Sequence, residues 1–246
     1  MNYREVYARS LRDPEGFWGE AAQGIDWIRS WTRVLDDRRR PFYHWFDGGM
    51  LNTCYNALDR HVETGRGGQA ALIYDSPVTA SRQSISYREL KDRVAAFAGG
   101  LRALGVRKGD RVVVYMPMVP ETVVAMLACA RIGAVHSVVF GGFSARELAT
   151  RVDDARPKLV VAGSCGIEPG RVVRYKPLLD QALGMAAHRP ERCVILQREQ
   201  DPGTLVAGRD LSWPEAVAGV EPADCVPLAA TDPLYILYTS GTTGQP

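Results

Sequence analysis

Four short apolar runs lie at intervals along the chain: Arg111-Val112-Val113-Val114-Tyr115, Ala134-Val135-His136-Ser137-Val138-Val139-Phe140, Lys158-Leu159-Val160-Val161-Ala162 and Arg192-Cys193-Val194-Ile195-Leu196. Continuous runs rich in β-branched residues are the pattern of strands buried on both faces, which places them in a parallel sheet covered by helices. The intervening segments supply the helices. Ser86-x-x-Glu89 is a capping box ahead of Leu90, Val94, Phe97 and Leu101, which share one helical face and are stopped by Gly105. Pro120-Glu121 opens a second helix through Ala125, Leu127 and Ile132, closed by Gly133. The fold class is therefore α/β, a mostly parallel sheet layered with helices.

Further elements follow from the same signals. Ala70 to Tyr74 reads as a strand, Ser76 to Arg82 as a turn, Leu178 to Ala187 as a helix, and Leu211 to Glu215 as the start of a short helix. Residues 1–65 differ in being rich in aromatics, among them Trp18, Trp27, Trp31, Trp45 and Phe46. Asp13-Pro14-Glu15 resembles an N-cap with proline at the first helical position, and Gly48-Gly49 a turn, so this stretch reads as short helices joined by turns. It has too little regular pattern for a core of its own. Its aromatics are expected to pack onto the domain that follows.

Bulk properties exclude several functions. A chain of 246 residues can bury a substantial core as one large or two ordinary domains. The net charge is +2, with basic residues scattered among acids, which argues against a dedicated nucleic-acid surface. Five cysteines (54, 129, 165, 193 and 225) stand far apart without a C-x-x-C, which points to reduced thiols and away from a disulfide framework or zinc site. Four histidines show no metal-ligand spacing, and His136, inside a strand, reads as a hydrogen-bonded core or sheet-edge residue. The N-terminus lacks a signal-peptide core and the sequence lacks a run of apolar residues long enough to span a membrane, so the expected compartment is the cytoplasm.

Three places carry chemistry. After the second strand, Gly141-Gly142-Phe143-Ser144 leads into Ser144-x-x-Glu147, another capping box, whose helix N-terminus suits an anion or tight helix–sheet packing. After the third strand, Gly163 to Leu179 forms a turn-rich loop with Arg171, Arg174 and Lys176, cations that meet a phosphate or remain solvated. Finally, the run Leu234 to Tyr238 breaks directly into Thr239-Ser240-Gly241-Thr242-Thr243-Gly244, where glycines permit close approach and successive N–H groups and hydroxyls converge on phosphate oxygens. This is not a Walker A loop, since no lysine follows Gly244, and without a G-x-G-x-x-G after any strand a Rossmann-type oxidoreductase is disfavoured.

Tyr238 to Pro246 resembles the first half of the signature loop of the adenylate-forming enzymes, which runs on through Pro-Lys-Gly. Asp13 to Trp18, Trp45 to Asn52 and Tyr55 to His61 resemble the N-terminal module of the acetyl-CoA and propionyl-CoA synthetases. The resemblance implies an N-terminal module over 1–65 and, over 66–246, an incomplete AMP-binding domain ending in the phosphate loop. It implies AMP-forming propionate–CoA ligation: a carboxylate attacks the α-phosphate of Mg²⁺-bound ATP, giving acyl-adenylate and pyrophosphate, and the thiol of CoA displaces AMP. Thr239, Ser240, Gly241, Thr242, Thr243 and Gly244 would hold the β- and γ-phosphates. Arg171 in Glu168-Pro169-Gly170-Arg171, helped by Gly142, would hold the 3′-phosphate of CoA. Glu168 stands where the acetyl enzymes have a second arginine, a departure similar to the propionyl subgroup.

In that family the adenine and acyl pockets, the magnesium-coordinating acid and the catalytic lysine follow the phosphate loop. The chain alone is thus expected to be catalytically incomplete, with no catalytic or metal-binding residue of its own and a last strand left at an open edge. The expected partners are ATP, CoA and propionate or acetate, together with a separately encoded remainder, with no nucleic acid and no membrane. The alternatives are an acetate–CoA ligase, or a non-catalytic protein that binds nucleotide or CoA.

Overall fold

In the computed structural model, residues 2–239 are described, so the predicted phosphate-loop residues Ser240 to Gly244 lie outside them. The chain opens with α1 (Tyr3–Arg12), behind a capping box of Asn2 and Glu5, and α2 (Pro14–Ala21). The Asp13 carboxylate accepts the Gly16 N–H at 3.0 Å, as the Asp-Pro-Glu signal predicts. The next elements depart from the reading of helices and turns. β1 (Arg33–Asp36) and β2 (His44–Asp47) pair antiparallel, and β3 (Met50–Leu51) follows. Strands this short carry too little alternation to register against the background.

The aromatics are also placed differently. Trp27, Trp31 and Phe46 meet one another at centroid distances of 5.0 to 5.4 Å, and Trp45 extends the cluster to Phe46 at 6.2 Å and Trp18 at 6.3 Å. They pack on one another, and none of the five is among the side chains gathered in the two main cores. Large rings meeting edge to face bury enough area for a few residues to hold an irregular segment.

Helical stretches Tyr55–Asp59 and Val62–Arg66 lead to a hairpin of β4 (Ala70–Ser76) and β5 (Ser81–Ser86). The turn itself is only residues 77–80, and the polar Ser-Arg-Gln-Ser that follows conceals the second strand. The Ser86 capping box then starts α3 (Tyr87–Ala103), whose Leu90, Val94, Phe97 and Leu101 are all buried.

The main layer is built in sequence from β6 (Arg111–Tyr115), α4 (Pro120–Ile132), β7 (Val135–Val138), α5 (Ala145–Ala155) and β8 (Leu159–Gly163). Gly133 ends α4 with φ +75°. Next come the antiparallel hairpin β9 (Cys165–Glu168) and β10 (Arg171–Arg174), then α6 (Tyr175–Met185) and β11 (Arg192–Leu196). The chain finishes with β12 (Asp210–Ser212), α7 (Trp213–Val217), β13 (Leu228–Ala229) and β14 (Tyr235–Ile236).

The six-stranded sheet runs β12-β11-β8-β6-β7-β14, with every pair parallel. Val112 and Val114 of β6 face a core with α3 and α4, while Val113 and Tyr115 face one with α5 and α6. Both faces are dry, which is why the runs show no alternation. β13 pairs antiparallel with β3, stitching the N-terminal segment to the segment that feeds β14. Among the described residues β14 forms one edge of the sheet, with Tyr235 exposed.

Close approach of α3 to the α7 region depends on glycine. The Phe97 and Trp213 rings stack at 3.9 Å, and a Cβ on Gly100 would come within 2.2 Å of the Ala216 carbonyl oxygen. Gly100→Ala therefore opposes two effects: a gain of about 1 kcal/mol in helix propensity and an overpacking cost of about 1–3 kcal/mol against rigid backbone. Overpacking is expected to win. A lower urea midpoint for Gly100→Ala would bear this out, and an increase would show that α7 moves away at little cost.

Candidate functional site

The sheet turns its two directions of winding at β6 and β8. The chain leaves β6 for α4 on one face and leaves β8 for α6 on the other, so their C-terminal ends diverge. A crevice opens where strand order reverses in this way, and ligands of open α/β sheets bind there. A cavity of about 520 Å³ occupies the place, lined by Met116 and Pro117 after β6, Phe140 and Gly141 after β7, Glu168 of β9 and Tyr175 of α6. Leu237, just past β14, also lines it. β14 thus leads into the wall of the crevice, with Tyr238 next in the chain after Leu237.

Gly141 is required here by close approach and not by dihedral angle. A Cβ on it would come within 2.1 Å of the Tyr175 hydroxyl, and one on Gly166 within 2.3 Å of the same oxygen. Tyr175 is wedged between the two loops. Tyr115, fully buried, donates its hydroxyl toward the carbonyls of Gly141 and Phe143, each at 3.2 Å. Gly142, the residue assigned to CoA, is exposed beside this wall. The α5 N-terminus is capped by Ser144, whose hydroxyl accepts the Glu147 N–H at 3.3 Å. The reciprocal half of the predicted box is replaced by an ion pair, as Glu147 turns to Arg151 at 2.9 Å.

The loop after β8, read from sequence as irregular, is the β9–β10 hairpin, turning through Pro169 and Gly170, the latter at φ +79°. Its register sets Glu168 opposite Arg171, and Arg171 Nη2 lies 2.6 Å from Glu168 Oε2. The acid that departs from the two-arginine pattern is the partner of the arginine that remains. Arg171 is 71% exposed. Arg174 pairs with Asp201 at 2.9 Å. Lys176 does not meet the solvent-facing site: it is 1% exposed, with Nζ 2.7 Å from Asp180 and 3.0 Å from Asp210. That withdraws it as a phosphate contact and makes it the buried link between α6 and β12.

The entry to the phosphate loop is anchored to α5. Tyr238 donates to Asp154 at 2.6 Å, and the Arg151 guanidinium lies 5.2 Å from the Tyr238 ring and 4.4 Å from that of Phe143. Burial, then the bond to Asp154, raises the Tyr238 phenol above its ordinary range. Sequence reasoning gave no weight to Tyr115, Tyr175 or Asp154. Each acts through at least one partner more than 25 residues away, and no local spacing signals that.

Two further candidates are resolved. His136, on β7, is 6% exposed, 5.7 Å from the Tyr235 ring, and its Nδ1 has no hydrogen-bond partner among the described residues, contrary to the bonded histidine expected. Two cysteines far apart in sequence, Cys54 and Cys225, come together with Asp59. No helix among the described residues is long and apolar enough to cross a membrane.

The family description "AMP-binding enzyme" matches residues 58–246, and "Acetyl-coenzyme A synthetase N-terminus" matches residues 3–57. The mitochondrial acyl-CoA synthetase short-chain family member 3 of Mus musculus is 54% identical over 99% of this chain and 36% of its own length. An acetyl-coenzyme A synthetase of Serratia proteamaculans is 46% identical over 99% of this chain and 38% of its own. Among solved structures, an acetoacetyl-CoA synthetase from Streptomyces lividans superposes with a TM-score of 0.88 at 29% identity, covering 100% of this chain and 37% of that one. The chain thus spans little more than a third of the length of these relatives.

Burial of His136 gives a prediction about pH. Burial lowers its pKa from 6.5 to about 4, so the native state keeps it neutral while the unfolded chain takes up a proton below 6.5. The stabilisation is complete above pH 6.5 and lost as pH falls toward 4, on the order of 3 kcal/mol in all. Urea unfolding at pH 7 and pH 5 should give a larger loss for the native sequence than for His136→Phe. Equal slopes would discount the burial effect.

Proposed function

Because the chain belongs to the AMP-binding enzyme family, and its fold is that of the acyl-CoA synthetases, we propose that it is the N-terminal portion of an AMP-forming propionate–CoA ligase. In this reading ATP, as its Mg²⁺ complex, meets a short-chain carboxylate to form acyl-adenylate and pyrophosphate, and CoA then takes the acyl group. Residues 1–65 form the N-terminal module and 66–246 the beginning of the AMP-binding domain.

The observation that most favours this reading is where β14 ends. Leu237, just past β14 at the C-terminal end of a parallel sheet, lines a crevice at the switch point, and the predicted phosphate loop follows it in the chain. The hydroxyl and N–H groups from Thr239 through Ser240, Gly241, Thr242, Thr243 and Gly244 would hold the β- and γ-phosphates while charge develops on pyrophosphate. Arg171, with Gly142, Glu168, Pro169 and Gly170 around it, would take the 3′-phosphate of CoA by charge-assisted hydrogen bonds. The choice of propionate over acetate rests on the resemblance of Glu168, which stands where the acetyl enzymes have a second arginine, to the propionyl subgroup. The five free thiols among the described residues accord with a reducing compartment, and the cytoplasm is part of the proposal.

The test is propionate-dependent ATP–pyrophosphate exchange, with acetate as comparison, on the 246-residue chain and on the chain extended through its downstream reading frame. The expected outcome is exchange in the extended protein alone, faster with propionate. Exchange by the 246-residue chain would overturn the incomplete-machinery reading, and faster exchange with acetate would transfer the substrate assignment. In the extended protein, Arg171→Ala should raise the KM for CoA about tenfold or more, the loss of a charge-assisted bond of about 1.5–3 kcal/mol, with exchange unaffected. An unchanged KM would remove Arg171 from the CoA site.

A further inference from the structure

Away from the crevice, the fold gathers a cluster that the adenylation reading does not use. Cys54, Asp59 and Cys225 place two sulfurs and a carboxylate oxygen within 4.8 Å of one another. Arg131, at the C-terminal end of α4, stands over all three. Its Nη1 donates to Asp59 Oδ2 at 2.7 Å, to Cys225 Sγ at 3.1 Å and to Cys54 Sγ at 3.6 Å, while Nη2 donates to Asp59 Oδ1 at 3.0 Å. Its Nε donates to the Ala223 carbonyl, two residues before Cys225. Lys91 Nζ adds a second positive charge 3.8 Å from Asp59. Cys54 is fully buried, and Cys225 is half-buried at the border of the cluster.

Two thiols and a carboxylate are a donor set that a soft divalent cation accepts. Arg131 weighs against that use. Its charge already occupies the position a metal would take, it holds the carboxylate in a bidentate pair, and a buried guanidinium cannot shed its proton to make way. Toward a thiol the same charge acts in the opposite direction, because it stabilises the thiolate, the form that reacts with peroxide. The hydrogen bond from Cys225, then Arg131, hold the Cys54 thiol below its ordinary range, while that bond and burial push Cys225 up. Burial alone raises Cys129 to about 12 and dominates the rise of Cys193 to about 12. Cys54 and Cys225 are the two thiols that the fold brings together under a shared cation.

We propose that Cys54 and Cys225 are a redox modification site, a dithiol that a hydroperoxide converts into a reversible disulfide. The oxidant reaches the pair from the half-buried Cys225 side. The Cys54 thiolate attacks a peroxide oxygen, the O–O bond breaks, sulfur is oxidised to the sulfenic acid, and water leaves with the proton. The Cys225 sulfur then displaces the sulfenic hydroxyl, its proton leaving in a second water as the S–S bond forms. Two thiols lose two protons and two electrons, and hydrogen peroxide becomes two waters. The bond covalently ties the segment feeding β13 and β14 to the N-terminal segment, where Asn52 Nδ2 already donates to the Val226 carbonyl at 2.8 Å.

The test treats the 246-residue chain with graded hydrogen peroxide, alkylates the remaining thiols under denaturing conditions, and maps the digest by mass spectrometry. Alkylation of Cys54 and Cys225 should fall together by about tenfold or more, with Cys129, Cys165 and Cys193 unchanged. One cross-linked peptide lacking two hydrogens should appear, and dithiothreitol should restore both thiols. In Cys225→Ser, with its fold checked by far-UV circular dichroism, the cross-link should vanish and Cys54 should accumulate as a sulfenic acid that dimedone traps. Full alkylation of both cysteines at peroxide levels that oxidise glutathione would overturn the proposal. So would unlinked sulfinic acids at the two positions, or stoichiometric zinc retained by the untreated chain after dialysis.

Discussion

The bidentate pair between Arg131 and Asp59 joins three lengths of chain that lie far apart in sequence. Asp59 belongs to the N-terminal segment, Arg131 to the end of α4, and the carbonyl that Arg131 also holds, Ala223, to the approach to the last strand. Burying both charges costs several kcal/mol per ion before their attraction is counted, and only complete hydrogen bonding makes the arrangement tolerable. The requirement is met here: both carboxylate oxygens are engaged and the guanidinium is satisfied by oxygen and sulfur together. Asn52 repeats the link a short distance away, its amide donating to the carbonyls of Ala130, Arg131 and Val226. A polar clasp of this kind favours one arrangement of the segments, because any other leaves a buried charge or amide unpartnered.

The consequence reaches the crevice. Once residues 223–226 are held against α4, β13 is placed beside β3, and β14 runs parallel to β7 at the sheet edge. There Tyr238 meets Asp154 and the Arg151 side chain. Opposite, Tyr175 fills the space left by Gly141 and Gly166, fixing the β7 loop against the β9–β10 hairpin. The walls of the cavity are thus set by packing and by hydrogen bonds on regular elements, the kind of support that positions groups more firmly than free loops do.

Except for β12, which was read as the start of a short helix, the strands of the main sheet and the helices α3 and α4 were legible because burial on both faces, capping boxes, Pro120 and Gly133 all point the same way. What was not legible has one physical origin. β1, β2, β3 and β5 are short or polar and exist through their antiparallel partners, so their own residues carry little periodic signal. The same holds in the site. Gly142 and the Glu168 to Arg171 segment could be read as a pair of loops, but the wedge of Tyr175 that unites them involves residues with no fixed spacing. Lys176 shows the converse error: in sequence it is one more cation in a loop, and only the fold reveals that it is buried with Asp180 and Asp210. Likewise, Cys54 and Cys225 are 171 positions apart, a separation at which spacing rules for cysteine are silent.

The pairing of Glu168 with Arg171 bears directly on the proposed role of that arginine. An acid opposite a cation weakens an anion site if the pair is buried, since separating it exposes an unpaired charge to a low dielectric. Here the pair spans a tight turn in solvent, where such bonds contribute about 0–1 kcal/mol. A phosphate dianion offers the guanidinium stronger, charge-assisted bonds, and the freed carboxylate returns to water at little cost. Glu168 therefore holds Arg171 at the hairpin without committing it, and lowers its reach toward weaker anions. On the proposed reading the substitution tunes the strength of the CoA contact and leaves its location unchanged.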